Sequence, residues 1–300
     1  MSMNKEVYSL LENYMLECRE RFHRGKMMLE VLYEDKEIIV VKKPVGMESQ
    51  SSVSFEPDMV SEIKKHIHNL CPEKGEPYVG VIHRLDKPVG GVMVYGKTKK
   101  AAAALSDQIR AGKIRKMYMA VVCGRTVDNV ENFVDYLLRD RRKNVSRIVE
   151  KGITGAKRAE LRYRVVDKRE EPEPLSLVEI ELFTGRHHQI RVQFAGHGLP
   201  LWGDNRYNPS WTDKGPKGPG MMRESVALAA CRLAFYHPVS GKPMEFFTEP
   251  EGPGFELFQK MDKILIHKNV IQGHTDIVQM KYKSKTGESM VQPCKELKME

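Results

Sequence analysis

The sequence has few cysteines and no long apolar run. Its five cysteines are widely separated and form no C-x-x-C pair, which argues against a disulfide framework or a structural zinc site. No stretch of about 18 apolar residues occurs, and the first residues lack the basic start and the cleavage site of a signal peptide. We therefore expect a cytoplasmic protein whose thiols are reduced and mostly buried.

Signatures of nucleotide and metal binding are also missing. There is no Walker loop, no G-x-G-x-x-G turn and no H-E-x-x-H helix. The adjacent His187 and His188, together with His83, could suggest a metal site. Neighbouring side chains on a helix point about 100° apart, however, so both histidines cannot easily bind one ion. The sequence thus predicts neither a metal nor an organic cofactor.

Charge is unevenly distributed along the 300 residues. Residues 84–169 carry 22 lysines and arginines but only 9 acidic residues, whereas the whole chain has a net charge of +9. Such a basic block indicates an electropositive face of the kind that contacts nucleic-acid phosphates. A solvated surface that only keeps the protein soluble would give the same count, so charge alone leaves both interpretations open.

Apolar spacing predicts helices in three places before the middle of the chain. An amphipathic N-terminal helix has its apolar residues between Val7 and Phe22 and a stop near Gly25. A second helix is expected over about 58–70, and a third begins after Thr98, which can cap it.

The stretch TGRHHQIRVQFAGHG (184–198) predicts a further helix after the strand-like VEIEL. Thr184 is expected to cap this helix, and one of the later glycines to end it. On such a helix His187, Arg191 and Ala195 would share one face, so Arg191 would be held rigidly rather than left in solvent.

Strands are interspersed with these helices. VLYEDKEIIVVKKPVG and CRLAFYHPVSGKPMEFF each read as two strands joined by a turn, and MYMAVVCG as a single strand. Because short hairpins rather than crossover helices connect many elements, the pattern favours an α+β fold with a mostly antiparallel mixed sheet. Residues 208–223 are dense in glycine and proline and predict a mobile loop, and the chain after Phe258 predicts a polar appendage.

Three groups of residues could carry chemistry. HRLD at 83–86 precedes a strand, and the glycine pair at 90–91 allows another chain or a ligand to approach closely. Tyr118 lies among basic residues at a strand start, and Arg191 lies on the predicted helix. Each has a plainer interpretation: a surface ion pair for Asp86, a core aromatic for Tyr118 and a solvated helix position for Arg191.

Five motifs in order resemble those of the RluA family of RNA pseudouridine synthases, over roughly residues 30–250. They are VLYEDKEIIVVKKPVG, HRLDKPVGGVMVYGKT, RKMYMAVVCG, TGRHHQIRVQFAGHGLPLWGDNRY and LAFYHPVSGKPMEF. The resemblance implies a long, bent, mostly antiparallel mixed sheet with flanking helices and a central catalytic cleft. Together with the residue pattern outside this range, it divides the chain into an N-terminal helical extension (1–28), the catalytic domain (29–258) and a C-terminal appendage (259–300).

The resemblance implies isomerisation of uridine to pseudouridine in ribosomal or transfer RNA, with base flipping and without a cofactor. Asp86 matches the family nucleophile, which assists cleavage of the bond between ribose and N1 of uracil. Arg191, the final arginine of the G-R-x-H-Q-I-R motif, is expected to form a salt bridge with this carboxylate. Tyr118 is expected to stack on the uracil and to help remove the C5 proton.

Further RNA contacts are expected from Arg84 and Arg186, with His83 and His188 as additional candidates. The chain departs from the family pattern after HRLD, where Val89-Gly90 replaces the usual Thr-Ser. A monomer is expected. The alternative function is an RNA-binding or RNA-folding protein on the same scaffold, with catalysis attenuated by this altered segment.

Overall fold

The fold is built on one large sheet. The computed structural model describes residues 29–51, 57–127, 129–212 and 226–258. The strands in chain order are β1 (Glu30–Glu34), β2 (Ile38–Lys43), β3 (Gly80–Val81), β4 (Gly90–Gly96), β5 (Arg115–Cys123), β6 (Val130–Asp140), β7 (Val145–Val149), β8 (Lys157–Arg169), β9 (Leu175–Leu182), β10 (Leu228–Tyr236) and β11 (Pro243–Phe247).

These eleven strands form a mixed, mostly antiparallel sheet. Its main order is β1-β2-β4-β10-β5-β9-β8-β6-β7, with β3 also paired to β4 and β11 to β10. Only β4 and β10 run parallel among the described pairs. The predicted α+β class and the mostly antiparallel sheet are confirmed, and so are both predicted hairpins.

Helices flank this sheet. Two of them begin as the sequence predicts, because Asp58 caps the first through a capping box with Ser61 and the Thr98 hydroxyl accepts from the amide of Ala101. None of the described helices is long and apolar enough to cross a membrane. The helices are α1 (Met59–Leu70), α2 (Lys99–Arg110), α3 (Gln189–Gly196), α4 (Pro209–Thr212) and α5 (Pro253–Glu256), with a 3-10 turn at Pro72–Lys74.

Apolar residues cover both faces of the central strands. In β2, Ile39 and Val41 belong to the core that includes residues of α1, whereas Ile38 and Val40 pack in the core that includes residues of α2. Because alternate side chains of a strand point to opposite faces, a strand covered on both sides reads as a continuous apolar run. This explains IIVV in the sequence.

Gly91 allows β4 and β10 to meet at the centre of the sheet. It has φ +125°, and a Cβ atom there would lie 2.1 Å from the carbonyl oxygen of Ala230. The close approach predicted for the glycine pair is therefore made by another strand of the same chain. Ala230 pairs with Gly91 on one side and with Tyr118 on the other, which brings the HRLD segment and β5 to the same part of the sheet.

Some predictions lie outside the described residues. The N-terminal helix and its 1–28 segment, the 259–300 appendage, Cys18 and Cys294 are not described. Of the predicted loop at 208–223, the described start contains the short helix α4. Cys71, Cys123 and Cys231 are free thiols, as expected, and burial raises the pKa of Cys123 and Cys231 to about 12.

Candidate active site

Asp86 lies in the loop between β3 and β4, and its backbone is fixed on both sides. The Ser49 hydroxyl accepts from the amide of Leu85 (2.9 Å) and donates to the carbonyl of the same residue (2.8 Å). On the other side, the buried Lys43 ammonium donates to the carbonyl of Lys87 (3.2 Å). These bonds hold the loop rigidly, while the Asp86 side chain remains 28% exposed.

Arg191 on α3 lies next to the Asp86 carboxylate. Its Nη1 is 3.5 Å from Asp86 Oδ2, and its side chain is only 4% exposed. The shorter contacts go to Asp204, with Nε–Oδ2 at 2.8 Å and Nη2–Oδ1 at 2.7 Å. Burial acts to lower the pKa of Arg191, but the hydrogen bonds to Asp204 and its charge outweigh burial and raise it. Arg191 is therefore a permanent cation shared by two carboxylates.

His188 occupies the other side of Asp86. Its Nε2 lies 3.7 Å from Asp86 Oδ2, and its Nδ1 lies 2.8 Å from the Tyr207 hydroxyl. The same hydroxyl accepts a hydrogen bond from the Ser146 amide, so its own proton points to His188 Nδ1. Burial and the charge of Arg191 lower the pKa of His188 to about 3. The neutral ring thus carries its proton on Nε2, facing the carboxylate.

The start of α3 differs from the prediction. The helix begins at Gln189, and His188 before it adopts a left-handed conformation with φ 53°. Thr184 does not cap the helix, because its hydroxyl donates to the Gln189 side chain (2.8 Å) and accepts from the Glu160 amide (2.8 Å). His187 lies outside the helix, so the predicted face shared by His187 and Arg191 was wrong.

The two histidines also do not point apart. Their rings stack with centroids 3.7 Å apart and an interplanar angle of 25°. The His187 ring lies between Ser146 Oγ and Asn144 Oδ1, each 3.0 Å from one ring nitrogen. The angle of about 100° expected between the two histidines was therefore wrong, since the turn before α3 rather than the helix sets both rings.

Tyr118 lies on β5, in the middle of the sheet, and is 7% exposed. Burial and the negative charge of Asp86 both raise the pKa of its hydroxyl. The Tyr118 side chain is therefore a neutral phenol that interacts electrostatically with the Asp86 carboxylate. The structure thus brings together the three residues that the sequence selected as catalytic candidates, Asp86, Tyr118 and Arg191.

The four residues expected to contact RNA differ in how far they are exposed to solvent. Arg84 and Arg186 are exposed, and Nε of Arg186 donates to the carbonyl of Arg158 (2.8 Å). His83 accepts a hydrogen bond from the amide of Val94 through Nε2 (3.3 Å). Burial and the nearby Lys116 lower the pKa of His83 to about 3. The fourth candidate, His188, lies beside the Asp86 carboxylate, with its Nε2 3.7 Å from Asp86 Oδ2.

Three supporting residues were missed by sequence reasoning. Asp204 and Tyr207 belong to GDNRY, the end of the family-like stretch TGRHHQIRVQFAGHGLPLWGDNRY, to which no role was assigned from sequence. Asp204 orients Arg191, and the Tyr207 ring lies 5.3 Å from the Arg191 guanidinium carbon. Ser49 carries no comparable signal, since its contact with Leu85 joins segments 36 residues apart.

The altered segment after Asp86 is well packed. Val89 is 2% exposed and belongs to the main core. A Cβ atom at Gly90 would lie 3.1 Å from Val45 Cγ2 and 3.3 Å from the Lys43 carbonyl, which is a tight fit. A valine and a glycine thus fill the space where the family pattern has two hydroxyl side chains.

The chain is similar in sequence to known RNA pseudouridine synthases. A sequence model of the family described as RNA pseudouridylate synthase matches residues 37–196. An uncharacterized RNA pseudouridine synthase of Aquifex aeolicus is 34% identical over 228 residues, which cover 74% of this chain and 70% of the relative. The ribosomal large subunit pseudouridine synthase D of Xanthomonas campestris is 36% identical over 229 residues, covering 72% of this chain and 64% of the relative.

Solved structures agree on the fold. Human RNA pseudouridylate synthase domain containing 4 superposes with a TM-score of 0.60 at 19% identity, covering 79% of this chain and 92% of the other. The family match spans more than half of the chain and includes Asp86, Tyr118 and Arg191. The chain therefore belongs to the RluA family of RNA pseudouridine synthases, enzymes that isomerise uridine within RNA.

Proposed function

We propose that this enzyme converts specific uridines of ribosomal RNA to pseudouridine, with Asp86 as the nucleophile. The relative from Xanthomonas campestris is named for the large ribosomal subunit, which favours ribosomal over transfer RNA as the substrate. The observation that carries the catalytic assignment is the contact of the partly exposed Asp86 carboxylate with the buried Arg191, 3.5 Å away.

The proposed reaction needs no external reactant. The bond between N1 of uracil and C1′ of ribose breaks, the ring turns, and a bond between C5 and C1′ forms. N1 gains a proton and C5 loses one, so the atoms balance. Asp86 assists the cleavage, and Arg191 orients the Asp86 carboxylate because the guanidinium is itself fixed by Asp204.

Tyr118 and His188 have supporting roles in this proposal. The Tyr118 ring stacks on the uracil, and its neutral hydroxyl lies close enough to Asp86 for the carboxylate to raise its pKa. A phenol with a raised pKa is a weak acid, so Tyr118 can pass on the C5 proton only if another group accepts its own proton. His188 Nε2–H helps to orient the Asp86 carboxylate from its other side.

Access to this site requires base flipping. A stacked or paired uridine cannot reach a carboxylate held between a sheet and a helix, so the target nucleotide must turn out of the RNA. Arg84 is exposed and lies two residues before Asp86, which supports a role in filling the space that the flipped base leaves or in contacting phosphate. One chain supplies Asp86, Tyr118 and Arg191, which supports a monomer as the active form.

The test is to incubate the purified protein with RNA from a strain that lacks it and to map pseudouridine before and after. Ribosomal and transfer RNA fractions are assayed separately. Asp86→Asn is the variant of choice because it keeps the shape of the side chain and removes its charge. Glu170→Gln, which removes an exposed charge paired with Arg125, is the matched control.

We expect new pseudouridine sites in ribosomal RNA with wild type and with the control, but none with Asp86→Asn. Sites confined to transfer RNA would overturn the substrate assignment and leave the chemistry standing. RNA binding without new pseudouridine for wild type would instead favour the alternative, a scaffold that binds or folds RNA.

A further inference from the structure

Lys116 is a partly buried lysine on the active-site face of the sheet for which no acidic partner exists among the described residues. It lies on β5 two residues before Tyr118, so both side chains point to the same face. The described hydrogen bonds and ion pairs include no acceptor for its ammonium group. Exposed neighbours such as Arg115 and Arg162, by contrast, pair with Glu181.

The two titratable side chains described beside Lys116 are a hydrogen-bond donor, His83, and a cation, Arg186. The Nζ atom of Lys116 lies 3.5 Å from the position that a Cβ atom would take at Gly185, which places the ammonium beside the turn that carries Arg186. His83 offers no acceptor, because its Nε2 is used by the Val94 amide and its Nδ1 therefore carries the proton. That Nδ1 is buried and has no partner among the described residues.

Burial, reinforced by the charge of Arg186, lowers the pKa of Lys116. A charged group in this position is destabilising unless an anion compensates it, and nothing in the described part of the chain does so. The anion that compensates Lys116 is therefore expected from outside the described residues. A backbone phosphate of the RNA substrate is the anion that an RNA-modifying site receives.

We propose that Lys116 and Arg186 form a phosphate-binding site that holds an RNA backbone phosphate next to the target uridine. This inference rests on the proposed function, since the phosphate belongs to the RNA that delivers its uridine to Asp86. Lys116 is thereby a binding residue rather than a catalytic one. It positions the nucleotide whose base lies beside Tyr118, two residues along the same strand.

The experiment compares Lys116→Met with Lys113→Met. The control removes the same charge from an exposed position just before β5. Both substitutions are made in the wild type for rate measurements and in Asp86→Asn for binding, so that turnover does not disturb the affinity. The probe is ribosomal RNA, and then a short RNA around a uridine that the wild type modifies.

Lys116→Met is expected to weaken RNA binding about tenfold and to reduce the slope of log affinity against log salt by about 1, the loss of one phosphate contact. The single-turnover rate at saturating RNA should change little. A methylphosphonate, which removes one phosphate charge, should weaken wild-type binding at one position near the uridine and have no further effect on Lys116→Met. Lys113→Met should behave as wild type.

Thermal denaturation separates binding from folding. Because Lys116 has no described partner, Lys116→Met should unfold at the same temperature as wild type or at a higher one. An unchanged salt slope, or a lower rate at saturation with unchanged affinity, would overturn the inference while the proposed function stands. If wild type modifies no RNA, the function fails, yet binding of the two variants to ribosomal RNA still decides whether Lys116 contacts phosphate.

Discussion

Arg191 and Asp204 form a bidentate ion pair in the interior, with side chains 4% and 0% exposed. The remaining guanidinium nitrogen, Nη1, is the one that reaches Asp86. Asp204 thus fixes the rotation of the Arg191 side chain, and through it the position of the positive charge beside the proposed nucleophile. A buried pair of this kind serves orientation more than stability, since desolvation cancels much of its attraction.

The first prediction concerns Asp204→Asn. The variant leaves the buried Arg191 with Asp86 as its nearest described carboxylate, so the free energy of unfolding should fall by about 3 kcal/mol. Turnover should fall as well, because the guanidinium is no longer held in the orientation that brings Nη1 to Asp86. Urea denaturation and pseudouridine formation measure the two effects. Glu170→Gln, in an exposed pair, should change stability by less than about 1 kcal/mol, and an equal loss there would contradict the interpretation.

A second prediction addresses the hydroxyl of Tyr207. Tyr207→Phe keeps the ring beside Arg191 but removes the partner of the Ser146 amide and of His188 Nδ1. Stability should fall by about 1–3 kcal/mol, the cost of unpaired buried polar groups. In wild type, ¹⁵N NMR should show the proton of His188 on Nε2, and the variant should show a mixture of tautomers.

Tyr236→Phe is the control for Tyr207→Phe, because Tyr236 is 49% exposed and its hydroxyl has no described hydrogen bond. It should leave both stability and the His188 tautomer unchanged. A single Nε2 tautomer in Tyr207→Phe would show that the phenol does not orient the histidine.

The third prediction tests how the Asp86 loop is held. Ser49→Ala leaves both backbone groups of Leu85 without their partner, which should cost about 1–3 kcal/mol. Displacement of the nucleophile should lower the single-turnover rate about tenfold at unchanged RNA affinity, since small errors of position are costly in catalysis. Ser106→Ala removes only a bond to the Ala102 carbonyl within α2 and should be close to neutral. A rate in Ser49→Ala equal to that of the control would reject this role.

Acid sensitivity is the fourth prediction. The pKa values of His83 and His188 are lowered to about 3 and that of His187 to about 4, against an ordinary value of 6.5. Below pH 6.5 these histidines therefore bind protons in the unfolded chain but not in the folded chain, and the free energy of unfolding falls as the pH drops towards 4. Carboxylates with lowered pKa, such as Glu34, contribute in the same direction only below about pH 4.5.

Urea denaturation between pH 7.5 and 5 measures this dependence. The midpoint should fall with pH, and His187→Asn, which removes one of the three groups, should flatten the fall. A midpoint that is constant over this range would contradict the lowered pKa values, because the folded and unfolded states would then bind the same number of protons.

Local sequence signals predicted much of the fold. Asp58 and Thr98 mark helix starts because a short side chain there can accept from the first free amides. Turn residues flanked by β-formers predicted both hairpins, and Gly91 marked the close approach of a second backbone. These features depend on neighbours within a few residues, which is the range that composition and spacing can reveal.

The start of α3 was mispredicted for a physical reason. The sequence offered Thr184 as an ordinary cap, but its hydroxyl is bound to Gln189 and to the Glu160 amide of β8. Contact with a strand 24 residues away therefore displaced the helix start and turned His188 towards Asp86. Local propensity could not anticipate this, because the competing partner comes from another part of the chain.

By itself, the sequence determined the chemical groups of the site, the local elements that carry them and the family to which the motifs point. Only the tertiary structure decided which groups face one another: that Arg191 is shared between Asp204 and Asp86, and that Lys116 has no described acidic partner. The order of strands, with β10 inserted between β4 and β5, makes these contacts between residues far apart in the chain. Burial then gives them their strength, since a charge excluded from water is held by the few groups that surround it.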